Sequence, residues 1–199
     1  MFRRLRLQFI MITSLAILFI LIFTVGIINT VRSFQTEQEI SKVLNTLTEN
    51  NGSFGKIKKI ETNQGREIPS DSFRFFSLTL SDDKVVSQDT SHTSLINDEE
   101  AARYALTVSR LTNNLGTIRE KNINLSYQVS KVSKDKILVV FLDTSSYYNS
   151  SQALFSLSIL LSLFAFIFFV VIVSALSGIV IRPFIRNYEK QRRFITNAG

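Results

Sequence analysis

The residues able to do chemistry are few. The 199-residue sequence has one histidine and no cysteine. Thiol nucleophiles, disulfides, iron–sulfur clusters and cysteine-based zinc sites are therefore excluded from the start. His92 sits between Ser91 and Thr93, and no second His or Cys exists to complete a metal set with it. A metal-binding or pH-sensing role stands against the plainer reading of a solvated loop residue. Asp98, Glu99 and Glu100 could hold a cation, but acids in the first turn of a helix are what its dipole favours without any ligand. Lys56, Lys58 and Lys59 could meet anionic headgroups or an acidic ligand, or form the solvated, edge-protecting face of a strand. Gly116 and the glycines at 52 and 55 lack the spacing of a phosphate-cradling loop. There is no Ser/His/Asp set and no pair of catalytic carboxylates on a recognisable scaffold. The residues thus give no catalytic, cofactor-binding or metal-ligating position in this chain.

The elements that carry these residues follow from composition and charge. Hydrophobic residues make up 45% of the sequence, with 17 Phe against only 2 Pro and 7 Gly, which is not the composition of a disordered or collagenous chain. The net charge of +7 would suggest nucleic acid if it were evenly spread, but it is not. Residues 1–6 carry three Arg and no acid, residues 29–152 carry 15 basic and 15 acidic residues, and residues 182–199 carry five basic and one acidic. The excess flanks two uncharged runs, so no nucleic-acid partner is expected.

The first uncharged run extends from Leu7 to Val31, and its residues 7–28 exceed the roughly 20 that a helix needs to cross the hydrocarbon. It is longer than the apolar region of a signal peptide, about 7–15 residues, and no small-residue cleavage site follows. An uncleaved anchor is expected. The second run extends from Thr144 to Ile181, with 153–181 as the second crossing. Lys and Arg are retained on the cytoplasmic side. Arg3, Arg4 and Arg6 therefore lie inside with Arg182, Arg186, Lys190, Arg192 and Arg193, and residues 29–152 lie outside. No charged residue interrupts either run, which argues against a transporter or proton relay. Ser158 with Ser162, and Ser174 with Gly178, have the four-residue spacing that lets helices approach closely, a spacing that also arises by chance.

The outer segment is long enough for one modest domain. Val31, Phe34, Ile40, Val43, Leu44 and Leu47 recur at helical spacing, so the first crossing is expected to continue as an amphipathic stalk ending at Asn50-Asn51-Gly52. A strand over Lys56–Glu61 is followed by a Pro69-containing loop at Arg66–Asp71. Phe76, Leu78 and Leu80 then alternate with Ser77, Thr79 and Ser81 as in a half-buried strand, and Asp82-Asp83 turns the chain into Lys84–Gln88. Asn97 with Glu100 forms a capping box opening a helix whose stripe is Ala101, Ala105, Val108 and Leu111. Ile123, Leu125, Tyr127 and Val129 mark a strand, Lys134-Asp135 a turn, and Ile137–Leu142 an apolar central strand. This order, between two crossings, resembles the PAS-like outer domains of bacterial receptors, which implies an extracellular ligand whose identity the residues do not give. The expected fold class is membrane α+β: two transmembrane helices flanking a small PAS-like domain, with the start of a cytoplasmic helix.

Residues 182–199, from Arg182-Pro183 through Glu189-Lys190-Gln191 to Arg193-Phe194-Ile195-Thr196-Asn197-Ala198-Gly199, resemble the membrane-proximal linker and first dimerisation-helix residues of bacterial sensor histidine kinases. The strand Ile137-Leu-Val-Val-Phe-Leu-Asp143 leading into the second crossing is also similar to such kinases from Gram-positive bacteria. The resemblance implies that a phosphoacceptor His, opening a His-Glu-Leu-Lys-Thr-Pro motif, is expected immediately after Gly199. It implies ATP and magnesium in a kinase domain absent from these 199 residues, and a cytoplasmic response regulator as partner. Phe184, Tyr188, Gln191, Ile195 and Ala198 fall at spacings of 4, 3, 4 and 3, the seam of a parallel two-stranded coiled coil and hence of a homodimer. A helix lying on the inner leaflet is the alternative for the same residues. The stretch is too short for a HAMP relay. Two other readings of the chain are a catalytically silent, truncated membrane protein and a chemoreceptor-like protein, though the latter is expected to continue into a long heptad rod.

Overall fold

The computed structural model describes the backbone of residues 2–62, 65–120 and 123–197 and the side chains of residues 4–62, 65–120 and 123–178. The elements are α1 (Phe2–Glu49), β1 (Lys59–Glu61), β2 (Glu67–Pro69), a 3-10 turn (Ser70–Ser72), β3 (Phe75–Ser81), β4 (Lys84–Asp89), α2 (Asp98–Ser109), β5 (Leu115–Glu120), β6 (Ile123–Ser133), β7 (Lys136–Asp143) and α3 (Ser145–Asn197). They divide into two compact units, Met1–Val31 with Ala153–Gly199, and Arg32–Gln152.

The first unit consists of α1 and α3 residues. Each helix contains an 18-residue window of high mean hydropathy, 2.7 and 3.0, none of it buried within the chain. Both are long and apolar enough to cross a membrane. Several of their polar side chains return to their own backbone: Thr13 Oγ1 donates to Phe9 O, Thr24 Oγ1 to Ile20 O and Ser158 Oγ to Leu154 O, each at 2.8 Å. A hydroxyl so bonded does not ask its surroundings for a partner. The helices are longer than the uncharged runs predict. α3 begins at Ser145 rather than at 153 and runs without a break through Pro183.

The second unit is built on a five-stranded antiparallel sheet of order β4-β3-β7-β6-β5. The β3–β4 turn places Asp82 and Asp83 at φ 48° and 58°, left-handed conformations that two-residue hairpins require and that Asp tolerates. β7 lies in the middle and is covered on both faces. Leu138, Val140 and Leu142 pack with Ile40, Val43, Leu44 and Leu47 of α1 and with Phe54, Ile60, Phe73 and Phe75. Val139 and Phe141 pack on the other face with Phe76, Leu78, Leu80, Leu125, Tyr127 and the α2 stripe Ala101, Ala105 and Val108. A strand buried on both faces reads as an unbroken apolar run, as Ile137–Leu142 does.

Four expectations need correction. The stalk runs to Glu49, but its packed stripe is shorter than expected: Val43, Leu44 and Leu47 are almost fully buried while Val31 and Phe34 remain exposed, because only the last turns of α1 lie across the sheet. For the same reason β3 is not half-buried; Ser77, on the face toward α1, is only 6% exposed. Leu111 is not in the α2 stripe, since the helix ends at Ser109 and Leu111 is 51% exposed. The Arg66–Asp71 segment is not all loop, as β2 pairs antiparallel with β1 through Lys59↔Pro69, Ile60↔Ile68 and Glu61↔Glu67. Pro69 occupies the last pair, where a missing N–H costs least.

The α2 cap forms as its residues dictate. Asn97 Oδ1 accepts from the Glu100 N–H at 2.8 Å, and the Asn97 N–H reaches Glu100 Oε2 at 3.4 Å. Asn97→Ala removes an acceptor that the first turn cannot replace and is expected to destabilise the sheet unit by about 1 kcal/mol. The midpoint of urea unfolding measures this.

Candidate functional site

The place where chemistry-bearing side chains converge is the passage from β7 into α3. Asp143 closes the strand, Thr144 stands alone between the two elements, and Ser145 opens the helix. Thr144 is fully buried. Its Oγ1 donates to Asn124 O at 3.0 Å and its N–H donates to the same carbonyl at 2.8 Å. Its own carbonyl accepts the Tyr148 N–H at 3.1 Å, an opening turn of α3. The Ser145 N–H donates to Asp143 Oδ1 at 2.9 Å, and Ser145 Oγ accepts the Asn124 N–H at 3.0 Å.

The hydroxyls extend this contact across the sheet. Ser126 Oγ lies 3.2 Å from Thr144 Oγ1, and Thr117 Oγ1 lies 3.2 Å from Ser126 Oγ. A hydroxyl has one proton. Because that of Thr144 goes to the Asn124 carbonyl, Ser126 must donate to Thr144 and Thr117 to Ser126. A directed chain of three hydroxyls thus runs from exposed Thr117 of β5 through β6 to the residue before α3, and a displacement of β6 would break the buried Ser126–Thr144 bond, which is costly to leave unmade. On the outer side Arg119 of β5 lies 5.0 Å from the Tyr148 ring centroid, a cation–π contact to the first turn of α3.

Tyr147 fixes the other flank. It packs beside the α1 face of the core, and burial, aided by the charge of Glu39, pushes its hydroxyl up to about 12. Unfolded tyrosine ionises near pH 10. Below that pH both states keep the proton; between about pH 10 and 12 only the folded chain keeps it, so stability falls as pH rises through this window. Ultraviolet titration of tyrosinate is expected to show a phase near pH 12 that Tyr147→Phe removes.

β5 does not follow from the sequence reading. Its pattern, Leu-Gly-Thr-Ile-Arg-Glu, is interrupted by Gly116, which usually weakens a strand. The glycine is required here: a Cβ at Gly116 would stand 2.5 Å from Tyr127 Oη, so the bare backbone is what lets the Tyr127 ring lie across its neighbour. A glycine opposite an aromatic in an alternating strand is the signal that was available.

The other candidate residues lie elsewhere and do not come together. His92 is not simply solvated; its ring stacks on buried Phe75 at 4.5 Å and 16°. Nearby, Asp89 accepts Ser91 Oγ and N–H bonds, and these hold its carboxyl below the usual range. Asp98 Oδ1 accepts from Thr90 Oγ1 at 2.7 Å, while Glu100 completes the α2 cap. Lys59 pairs with Glu67 across β1–β2, both more than half exposed, and such a pair contributes little. A shallow hollow of about 660 Å³ lies along α1, lined by Phe34, Glu37, Ser41, Lys42, Asn45 and Glu49 among others.

Among the described residues no group of three His, Asp or Glu side chains converges as a metal site. Of the expected dimer seam, Phe184, Tyr188, Gln191 and Ile195 lie on the helical backbone of α3 with their side chains outside the described residues, and Ala198 lies outside them entirely. No family model matches this sequence, and no curated protein matches it either.

Proposed function

We propose that the chain is the membrane-borne input part of a two-component sensor histidine kinase. The observation that carries this reading is the continuity of β7 with α3. The central strand of the sheet passes through the single residue Thr144 into a helix that holds both the most apolar window and residues 182–197, the stretch resembling a dimerisation helix. A change in the sheet therefore has no loop in which to dissipate before it reaches that helix.

Further features support the reading. The unburied apolar windows suit crossings at 7–28 and 153–181, with basic residues 1–6 and 182–199 in the cytoplasm and the charge-balanced 29–152 outside. The sheet order, 2-1-5-4-3 when its strands are numbered from β3, suits a PAS-like domain with α1 on one face and α2 on the other. In this reading the protein sits in a bacterial cell membrane, of Gram-positive type, and pairs as a homodimer along Phe184, Tyr188, Gln191, Ile195 and Ala198. It answers an extracellular ligand, and the kinase core it controls passes phosphate to a response regulator. The test is to incubate the gene product bearing these residues with radiolabelled ATP and magnesium. Acid-labile, base-stable phosphate on a His following Gly199 is expected; its absence would overturn the assignment.

A further inference from the structure

Within the unit formed by Met1–Val31 and Ala153–Gly199, one polar contact joins the two helices. Arg6 Nε donates to Ser177 Oγ at 2.8 Å, and Arg6 Nη2 donates to Ser174 O at 2.9 Å. Ser177 Oγ in turn donates to Ser174 O at 2.8 Å, so the three bonds close a ring between one guanidinium and one turn of α3. Ser177 is 0% exposed, and among the described residues of this unit it is the only buried one. These are also the only hydrogen bonds joining α1 to α3 among those residues. Elsewhere the partly buried α1 positions of this unit are Ile10, Thr13, Ser14, Ile17, Leu21, Val25 and Asn29; Thr13 and Asn29 bond their own helix backbone and Ser14 Oγ has no hydrogen-bond partner, so none of them sets a register between the helices by hydrogen bonding.

We propose that Arg6 is a latch that fixes the inner end of α3, in height and in rotation, to α1 of the same chain. The inference rests on the reading of α3 as the output helix, and it adds what holds that helix in its resting position. The chemistry favours Arg at this place. Its guanidinium stays charged, and its planar fork reaches a hydroxyl and a carbonyl at once. Three of its five donors remain for water or lipid phosphate, so the group can sit at the border of an uncharged run without losing its solvation. Ser174 and Ser177 are three residues apart, so a helix rotated by a third of a turn or shifted by one turn would offer Arg6 neither acceptor in place. Output through α3 then requires either that α1 moves with it or that the Arg6 ring opens.

The absence of cysteine makes the test clean. Leu7→Cys and Leu176→Cys, at positions 56% and 50% exposed, are spin-labelled in the full chain, diluted with unlabelled protein and reconstituted in phosphatidylcholine–phosphatidylglycerol vesicles. Pulsed electron resonance is expected to give one narrow distance, which Arg6→Gln broadens at least twofold. Arg4→Gln, which removes the same charge one turn-fraction away, is expected to leave it narrow. Ser177→Ala keeps every charge and is expected to broaden the distance to an intermediate extent, which decides the matter should Arg6→Gln fail to incorporate. An unchanged width in Arg6→Gln or Ser177→Ala, or equal broadening by Arg4→Gln, overturns the latch. Flotation of the same samples separates the two ideas. Wild-type protein that stays out of the vesicle fraction contradicts the membrane reading, while the distance widths still decide the latch.

Discussion

Phe141→Ala is expected to destabilise the sheet unit by about 4 kcal/mol. Phe141 belongs to β7, the middle strand, and is fully buried. Its ring stacks on Phe76 of β3 at 4.6 Å and 11°, and the Tyr127 ring of β6 stands 6.1 Å away. Removing it forfeits the transfer free energy of the ring and leaves a void. In the same cluster Ala101 and Ala105 of α2 are fully buried and too short to fill it. Phe164→Ala deletes the same ring from a position that is 64% exposed, and is expected to shift the unfolding of the sheet unit by less than about 0.5 kcal/mol. Urea unfolding of the two variants in detergent, followed by amide hydrogen exchange in β3, β6 and β7, measures both. A midpoint for Phe141→Ala equal to wild type would contradict the placement of β7 at the centre of the sheet.

Gly52→Ala is expected to cost about 3 kcal/mol, from two sources that add at one position. The end of α1 is closed by a pair of bonds, Asn51 N–H to Thr48 O at 3.2 Å and Gly52 N–H to Leu47 O at 2.8 Å, with Asn51 in the left-handed region at φ 55°. This is the Schellman arrangement. Gly52 itself lies at φ 87°, where an L side chain costs roughly 1–2 kcal/mol. A Cβ there would also stand 2.4 Å from Ser77 Oγ and 2.6 Å from Ser77 Cβ. Ser77 sits on interior strand β3, so relief requires the turn to lift from the sheet, and overpacking of this kind typically costs about 1–3 kcal/mol. Gly55→Ala gives a control, since it shares a positive φ of 55° but meets nothing within 4 Å. The difference between the two variants in unfolding free energy isolates the contact with Ser77. Equal effects would mean that Gly52 does not approach the sheet as described.

The parts of the fold legible in the sequence were those specified by short-range physics. The α2 capping box, the Asp82-Asp83 and Lys134-Asp135 turns and the unbroken apolar run of β7 each follow from residues within a few positions of one another. What escaped depended on partners distant in sequence. Ser77 reads as a solvent-facing residue in an alternating strand, and only the return of α1 across the sheet buries it. β5 is a strand because Gly116 lies under Tyr127, and β2 is a strand because Glu67–Pro69 meets Lys59–Glu61. The candidate site was missed for the same reason: Thr117, Ser126 and Thr144 are unremarkable singly, and 27 positions separate the first from the last. Their hydroxyls form a chain only once β5, β6 and β7 are side by side. In the sequence Arg6 is one of three basic residues that set orientation, and its bonds to Ser174 and Ser177 depend on a contact spanning nearly the whole sequence.

In the proposed reading, two crossings leave residues 29–152 outside the cell and both ends within it. Single cysteines introduced into this cysteine-free chain test it directly, using a membrane-impermeant maleimide on intact cells. Lys84→Cys, on the exposed edge strand β4, is expected to label at once, whereas Arg4→Cys labels only after the membrane is permeabilised. Labelling of Arg4→Cys in intact cells, or protection of Lys84→Cys until permeabilisation, would contradict the account.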